Sequence, residues 1–503
     1  MLYFSKSKYT EFKQCPKASW LHKHRPELYK LDDEVKSRMN MGNDVGDLAM
    51  GLFGDYFEVT RKKPDGSLDL EKMKALTRQY ISEGREIICE ASFSYNGAYC
   101  AVDILRKTEQ GYLMYEVKAS TKPDKPVYLL DACYQKYVLE KCGIHVAGVN
   151  IVTLNNKYVF DGTLDIKKLF NITDVTARVG SLKGTVEGDL KYAEEIHGLK
   201  EEPDIDISCS CATPYDCAFW DYCSRNLPKP SVFDLYDIDF SNAVELYKKG
   251  VKSFEDVKKC GKELNKIEEL QIAHALEDNG TYANAEGIKE FLNSLTPTLY
   301  FLDFESVQPA VPQYIGTRSF QQIPVQYSLH ILNTATGELK HKEFLGRSEG
   351  DSREELAKRL VEDIPADANI IVYNKTFESS CIRDLANAFP HLSEHLNKIK
   401  DNIVDLIVPF RAGYYYNRNM GGSFSIKSVL PAIFPDNPEL DYKNLQGVHN
   451  GGEAKSLFPR LKYMEQAERT VAEQNLLKYC ELDTYAMVKV YEELVRVANG
   501  EKI

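Results

Sequence analysis

The sequence predicts an α/β protein, in two α/β parts joined by a helical stretch. Three features predict it. Residues 86–120, "EIICEASFSYNGAYCAVDILRKTEQGYLMYEVKAS", alternate apolar and polar positions, with turn signals at Asn96-Gly97 and Gln110-Gly111. That is the pattern of a strand meander. After "LTPTLY" the chain changes to short apolar strands alternating with helices, in "LYFLDFES", "QYSLHIL", "NIIVYNKTF" and "NLLKYCELDTYAMVKVYEELV", which is the alternation of an α/β layer. Between the two, a proline-bearing "RNLPKPSVFD" opens a helix-rich stretch with a helix–turn–helix signal at "YKKGVKSFEDVKK". The expected boundaries are 1–227, a helical connector over 228–296, and 297–503.

Within the first part, residues 5–24 read as a helix ending near a Cys-Pro, and polar helical sequence continues to about residue 82. The meander follows, then a helix over 129–141 and a strand in "HVAGVNIVTL". A length of 503 residues exceeds one ordinary core. The N-terminus lacks the basic-then-apolar run of a signal peptide, and no apolar stretch approaches the ~18 residues that span a bilayer. The expected location is the cytosol, with no membrane partner. A reducing compartment disfavours disulfides among the twelve cysteines, and most of them read as small buried hydrophobes.

The net charge of −12 argues against a protein that binds nucleic acid by phosphate neutralisation alone. Yet Lys6, Lys8, Lys13, Lys17, Lys23, Arg25 and Lys30 crowd the first thirty residues. Carboxylates clustered elsewhere are also what a metal-dependent nuclease needs. No G-x-x-x-x-G-K-[ST] loop is present, so the chain carries no ATP motor of that type.

Two groups of residues carry chemistry. In the first, Asp103 lies inside the strand-like "AVDIL", and "LMYEVKAS" presents Glu116 and Lys118 on one strand face. Two carboxylates hold a divalent cation through oxygen, and a lysine beside them orients water or stabilises developing negative charge. In the second, Asp303 and Glu305 share a strand face in "YFLDFES", Asn374 and Glu378 mark a strand end and helix start, and Tyr479 and Asp483 stand one helical turn apart. Four acids from separate segments suffice for two metal ions around a phosphate. Ordinary surface charge is the bland alternative for each pair taken alone.

The first group resembles the PD-(D/E)XK nucleases of the RecB type, including CRISPR-associated members. The first carboxylate lies in "GAYCAVD", the D/E-x-K on the next strand, and a helix follows with Gln135 in "DACYQKYVLEKCG". Glu90 matches an upstream acid, and "SKSKYTEFKQCPKASWL" matches the opening helix. The family's early metal-binding His is missing from "MGNDVGDLAMG", where Asp44 or Asp47 could substitute. The resemblance implies a restriction-endonuclease-like fold and a catalytic set of Glu90, Asp103, Glu116, Lys118 and Gln135.

"CATPYDCAFWDYC" sets Cys211, Cys217 and Cys223 at C-x5-C-x5-C. Iron-containing members of that family use one cysteine near the N-terminus and three after the nuclease core, so Cys15, Cys211, Cys217 and Cys223 are the implied ligands of a [4Fe–4S] cluster. Zinc, which favours closer pairs, and uncoordinated thiols are the alternatives. Cys209 is the spare. Such a cluster staples the first helix to the end of its domain.

The second group resembles the DnaQ-type DEDD 3′–5′ exonucleases of the Tyr subgroup, with "NIVDLIVPFR" and "GSFSIKSVLPAIFP" matching further segments. That implies a ribonuclease H-like domain using Mg2+ or Mn2+, with Asp303, Glu305, Glu378, Tyr479 and Asp483 as its site. Glu378 stands where the family has Asp, and Asp405 is the reserve ligand. Together the resemblances imply a bacterial fusion of two nuclease domains acting on DNA ahead of RNA, in repair or defence, with helicase or repair proteins as candidate partners. A nucleic-acid-binding adaptor with a structural cluster is the alternative function.

Overall fold

Phe4–Ser5 (β1) opens a seven-stranded mixed sheet with Phe57–Glu58 (β2), Ile87–Tyr95 (β3), Ala98–Thr108 (β4), Gly111–Lys118 (β5), Val146–Leu154 (β6) and Phe170–Asp174 (β7). The computed structural model describes residues 4–30, 33–182, 184–277 and 280–501. The sheet order is β2-β3-β4-β5-β6-β7, with β1 also on β4. The expected meander is therefore β3, β4 and β5. β5 and β6 run parallel, so their connection must cross over, and the helix Pro126–Lys141 does so.

One edge of β4 is shared. β5 pairs with it over 104–108, and β1 pairs with it at Ala98 and Tyr99. Between the two stands Asp103, where the β4–β5 ladder ends. A second irregularity coincides. Ile88 and Ala91, like Val102 and Leu105, belong to one core layer although three residues apart, whereas strand neighbours at that spacing ordinarily face opposite ways. Both strands thus change phase at Glu90 and Asp103, and Glu90 has φ of 57°. A non-glycine residue held there costs about 1–3 kcal/mol and persists where its surroundings fix it.

Residues 5–24 form two helices, not one: Lys6–Gln14 and Pro16–His24. Cys15 between them is extended, as a residue before proline tends to be. Its sulfur caps the second helix by accepting from the Ala18 N–H. Residues Met1–Asn226 and Pro309–Phe320 make up this first unit. Ala310, Val311 and Phe320 join the core layer that holds Ile87, Cys89, Ile104 and Tyr115.

The second unit, Leu227–Gln308 and Gln321–Ile503, contains a five-stranded sheet and a two-stranded one. Thr281–Ala283 (β8), Thr298–Val307 (β9), Ile323–Asn333 (β10), Leu339–Leu345 (β11), Asn369–Val372 (β12), Ile403–Asp405 (β13) and Tyr415–Asn417 (β14) are its strands. The larger sheet runs β11-β10-β9-β12-β13, with β9, β10 and β11 antiparallel and β12 and β13 parallel to β9. On β9, Leu302 and Phe304 face the core formed with the helices Arg353–Asp363 and Thr376–Ala388. The alternate residues Phe301, Asp303 and Glu305 therefore face the long helix Gln466–Ala498, against which Phe301 meets Tyr491 edge-on. The stretch expected as a connector packs within this unit: β8 pairs with β14, and the helix Ala285–Asn293 lies on the C-terminal helix. Among the described residues no helix is long and apolar enough to cross a membrane.

Candidate functional site

The acids of the second unit converge. Asp303 and Glu305 come from the middle of β9, and Asp483 from the C-terminal helix. One carboxylate oxygen from each lies within 4.8 Å of the other two. Glu378, in the first turn of the helix that follows β12, is 3% exposed and close enough to Asp303 to raise its proton affinity. One of its oxygens, Oε2, is buried without a hydrogen-bond partner. A buried carboxylate oxygen left unpaired is costly.

The electrostatics follow from burial of like charges. Burial first, then Asp483, Glu378 and Glu305, push Asp303 well above the usual carboxylate range. Burial and Asp483 do the same to Glu305, against the opposing ammonium groups of Lys427 and Lys455. Burial raises Glu378 to about 8 and Asp483 to about 6. Burial and mutual repulsion thus favour the protonated forms of these acids.

Around the acids stand groups that spacing did not single out. Tyr442 donates to Asp483 Oδ1 at 2.6 Å. Lys427 Nζ, from the helix Ile426–Ile433, donates to the Tyr479 hydroxyl at 3.1 Å. Burial and the neighbouring carboxylates keep the Tyr479 phenol protonated. Gly451 borders the site: a Cβ there would make ordinary contact, 3.7 Å from Glu305 Oε1 and 3.9 Å from the Tyr479 hydroxyl. Asp405, the reserve ligand, is otherwise engaged. It accepts from the N–H groups of Asn374, Lys375 and Ile407, fixing the turn that leads from β12 to Glu378. Asn374 is itself at φ 68° in that turn.

In the first unit, Glu90, Asp103, Glu116, Lys118 and Gln135 also come together. Glu90 and Asp103 lie between the register pairs Cys89–Ile104 and Ala91–Val102 of β3 and β4, and, behind burial and Glu116, the Glu90 charge raises Asp103. The Val117 N–H donates to Asp103 Oδ2 at 2.6 Å. Glu116 is fully buried. Its Oε1 accepts from Lys118 at 2.7 Å and from Lys6 at 2.9 Å, and its Oε2 from Gln135 at 2.6 Å. Asp131, one turn before Gln135, accepts from Gln135 at 3.1 Å and pairs with Lys118. Burial pushes Glu116 up, but Lys118 and Lys6 outweigh it and hold its carboxyl well below the usual range. Burial and the Glu116 charge instead raise Asp103 to about 8. Asp47, exposed on the early helix, bears on Glu90 together with Glu58, whereas Asp44 is simply exposed.

Lys6 separates this site from the other. Its ammonium lies 3.7 Å from Asp103 Oδ1 and 2.9 Å from Glu116 Oε1, between the carboxylates that would hold a cation. β1 on the free edge of β4 delivers it there. Among the described residues, no three ligand atoms of this site lie within 4.8 Å of one another. Lys6→Met, made in an Asp303→Asn background, is expected to lower the metal-free melting temperature, since the paired charges lose about 3–5 kcal/mol when one partner goes. The same variant gains Mn2+ affinity by calorimetry, by about tenfold or more. Unchanged Mn2+ affinity would mean that the ammonium does not compete with a cation.

The four cysteines implied as ligands line one pocket, with Lys17, Phe219 and Trp220. All are free thiols. Burial raises Cys211, Cys217 and Cys223, Cys217 to about 12. No three of the sulfurs approach within 4.8 Å of one another, whereas a lone zinc ion with Zn–S bonds of about 2.3 Å draws its thiolates closer than that. Cys209 is exposed and does not line the pocket.

Residues 300–425 match a family described as a domain of unknown function, DUF2779. The matched span includes Asp303, Glu305 and Glu378 but stops short of Lys427, Tyr479 and Asp483. No curated protein matches the chain.

Proposed function

We propose that the second unit is a DEDD-type 3′–5′ exonuclease of the Tyr subgroup, acting on DNA ahead of RNA. The observation that carries it is the meeting of Asp303, Glu305 and Asp483 from segments about 180 residues apart, with Glu378 beside them and its orphaned oxygen. The sheet order, with two antiparallel neighbours on one side of β9 and two parallel strands on the other, agrees with a ribonuclease H-like layer. An all-oxygen donor set suits Mg2+ or Mn2+. Bound there, such ions polarise a phosphate oxygen and lower the pKa of a coordinated water.

The chain's own groups do the rest. Tyr442 holds the Asp483 carboxylate through Oδ1. Tyr479 keeps its proton and offers it as a hydrogen bond to an attacking water. Lys427 fixes the Tyr479 oxygen and brings a positive charge toward the phosphate that is to be cut.

We infer for the first unit a RecB-like PD-(D/E)XK domain with a cysteine-held cluster. Glu90, Asp103, Glu116, Lys118, Asp131 and Gln135 form its polar centre. The Lys6 ammonium between the carboxylates favours strand-gripping or weak cleavage over fast hydrolysis. An adaptor function for this unit rests on that same lysine. DNA repair or defence in the cytosol is a setting by analogy alone.

The test is a Mg2+- or Mn2+-dependent assay on end-labelled single strands, comparing wild type with Asp303→Asn and Glu116→Gln. Asp303→Asn is expected to abolish stepwise loss from the 3′ end, with Glu116→Gln keeping it. If Asp303→Asn cleaves like wild type, the exonuclease proposal fails.

A further inference from the structure

Beside the carboxylate cluster the second unit holds a different set of donors. His330 and His341 are register partners on β10 and β11, with ring centroids 4.5 Å apart. Glu481 reaches them from the C-terminal helix. One ring nitrogen of each histidine and one Glu481 oxygen lie within 4.8 Å of one another. His330 is buried, and the His341 and Glu481 side chains are 23% and 48% exposed, so an ion has a way in.

Two buried hydroxyls prepare the rings. Ser328 and Thr484 are hydrogen-bonded to each other at 2.7 Å. Thr484 Oγ1 is 2.8 Å from His330 Nδ1, and Ser328 Oγ is 2.9 Å from His341 Nε2. Each imidazole thus has one nitrogen held by a hydroxyl. That leaves His330 Nε2 and His341 Nδ1, the latter 3.8 Å from Glu481 Oε1. A metal-binding histidine is ordinarily oriented in this way through its other nitrogen. Two imidazoles and a carboxylate are the donors of zinc and its transition-metal neighbours, not of magnesium.

We propose that His330, His341 and Glu481 form a transition-metal site, with Zn2+ as its ion and a fourth position open to water. Its place in the fold gives it a task. The ion ties the β10–β11 hairpin to the helix that carries Tyr479 and Asp483, and Ser328 is the register partner of Asp303. It is a staple between the two walls of the carboxylate cluster. The inference does not depend on what that cluster hydrolyses.

The test uses the full chain, stripped of metal, in an Asp303→Asn background so that the carboxylate cluster does not compete. Zn2+ is titrated by calorimetry, and Co2+ substitution is followed by visible absorption. The expected result is one Zn2+ equivalent lost, or bound at least about 100-fold more weakly, in His341→Ala and in Glu481→Gln. Thr484→Val, which removes only a hydroxyl from an outer partner, is expected to weaken the same equivalent about 10–100-fold. The Co2+ bands lost in Glu481→Gln are those without thiolate charge transfer. Glu481 is half-exposed, so its variant folds and keeps the test decisive. Equal zinc stoichiometry and affinity in Glu481→Gln and its parent would overturn the site.

Discussion

Replacing Asp303 with Asn is expected to cut 3′-end degradation by about 10^3-fold and, in metal-free buffer, to make the protein more stable. The loss follows because a divalent ion's stabilisation of phosphoryl charge is worth several kcal/mol, and each 1.4 kcal/mol is about tenfold in rate. The gain follows because Asp303, Glu305, Glu378 and Asp483 are buried among like charges and are all pushed above the ordinary carboxylate range. An amide ends part of that repulsion. The pH dependence has a definite sign. These groups bind more protons folded than unfolded, so stability falls as pH rises. Their contribution is fully present below the unfolded carboxylate range near about 4. It is lost as pH climbs through about 6 for Asp483 and about 8 for Glu378. Thermal unfolding in EDTA from pH 5 to 8.5 should thus show a falling midpoint, shallower in Asp303→Asn, and Mg2+ should restore the wild type at high pH only. Each kcal/mol moves the midpoint by about 2–4 °C in a unit of this size. A wild-type midpoint that climbs with pH in EDTA, or a variant less stable than its parent, would mean that the four carboxylates are not crowded as described.

The parts of the site that were legible in the sequence are those whose spacing is local. Asp303 and Glu305 share a face because strands repeat every two residues, and Tyr479 with Asp483 because helices repeat near four. Asp131 is legible in the same way, four residues before Gln135 on one helix face. Lys6, Lys427 and Tyr442 were not legible at all. Lys6 reaches Glu116 only because β1 occupies the edge of β4 that β5 leaves free, and no spacing encodes that choice. His330 and His341 are eleven positions apart and meet through hairpin register alone. The break at Cys15 did have a signal, since a residue before proline avoids helix; that a second helix starts at once at Pro16 did not follow from it.

Cys15→Ser is the second large effect, on the first unit. With Cys15 and Cys211 bridged by a cluster, the closed loop is about 200 residues long, and the chain-entropy relation for such a loop gives about 5 kcal/mol of stabilisation. The thiols alone do not achieve this. Burial keeps Cys211, Cys217 and Cys223 protonated in neutral solution, and a cluster must displace those protons as it binds. Removing one ligand should therefore abolish the absorption near ~400 nm and lower the unfolding midpoint of this unit by several degrees. It should not unfold the protein outright. Gln14 still donates to the carbonyls of Ser210 and Tyr215 at 2.8 and 2.6 Å, Lys17 still pairs with Glu202 at 2.6 Å, and the Trp20 indole still reaches the Leu199 carbonyl at 3.1 Å. Those contacts hold the two opening helices against the cysteine segment, so the variant is expected to be folded, colourless and more readily cut by protease before residue 25. Cys209→Ser, exposed and outside the pocket, is the control and should match wild type in colour and midpoint. Colourless wild-type protein carrying one zinc per chain at the cysteines would replace the cluster with a single ion, and the sulfurs would then have to close to distances shorter than those seen here.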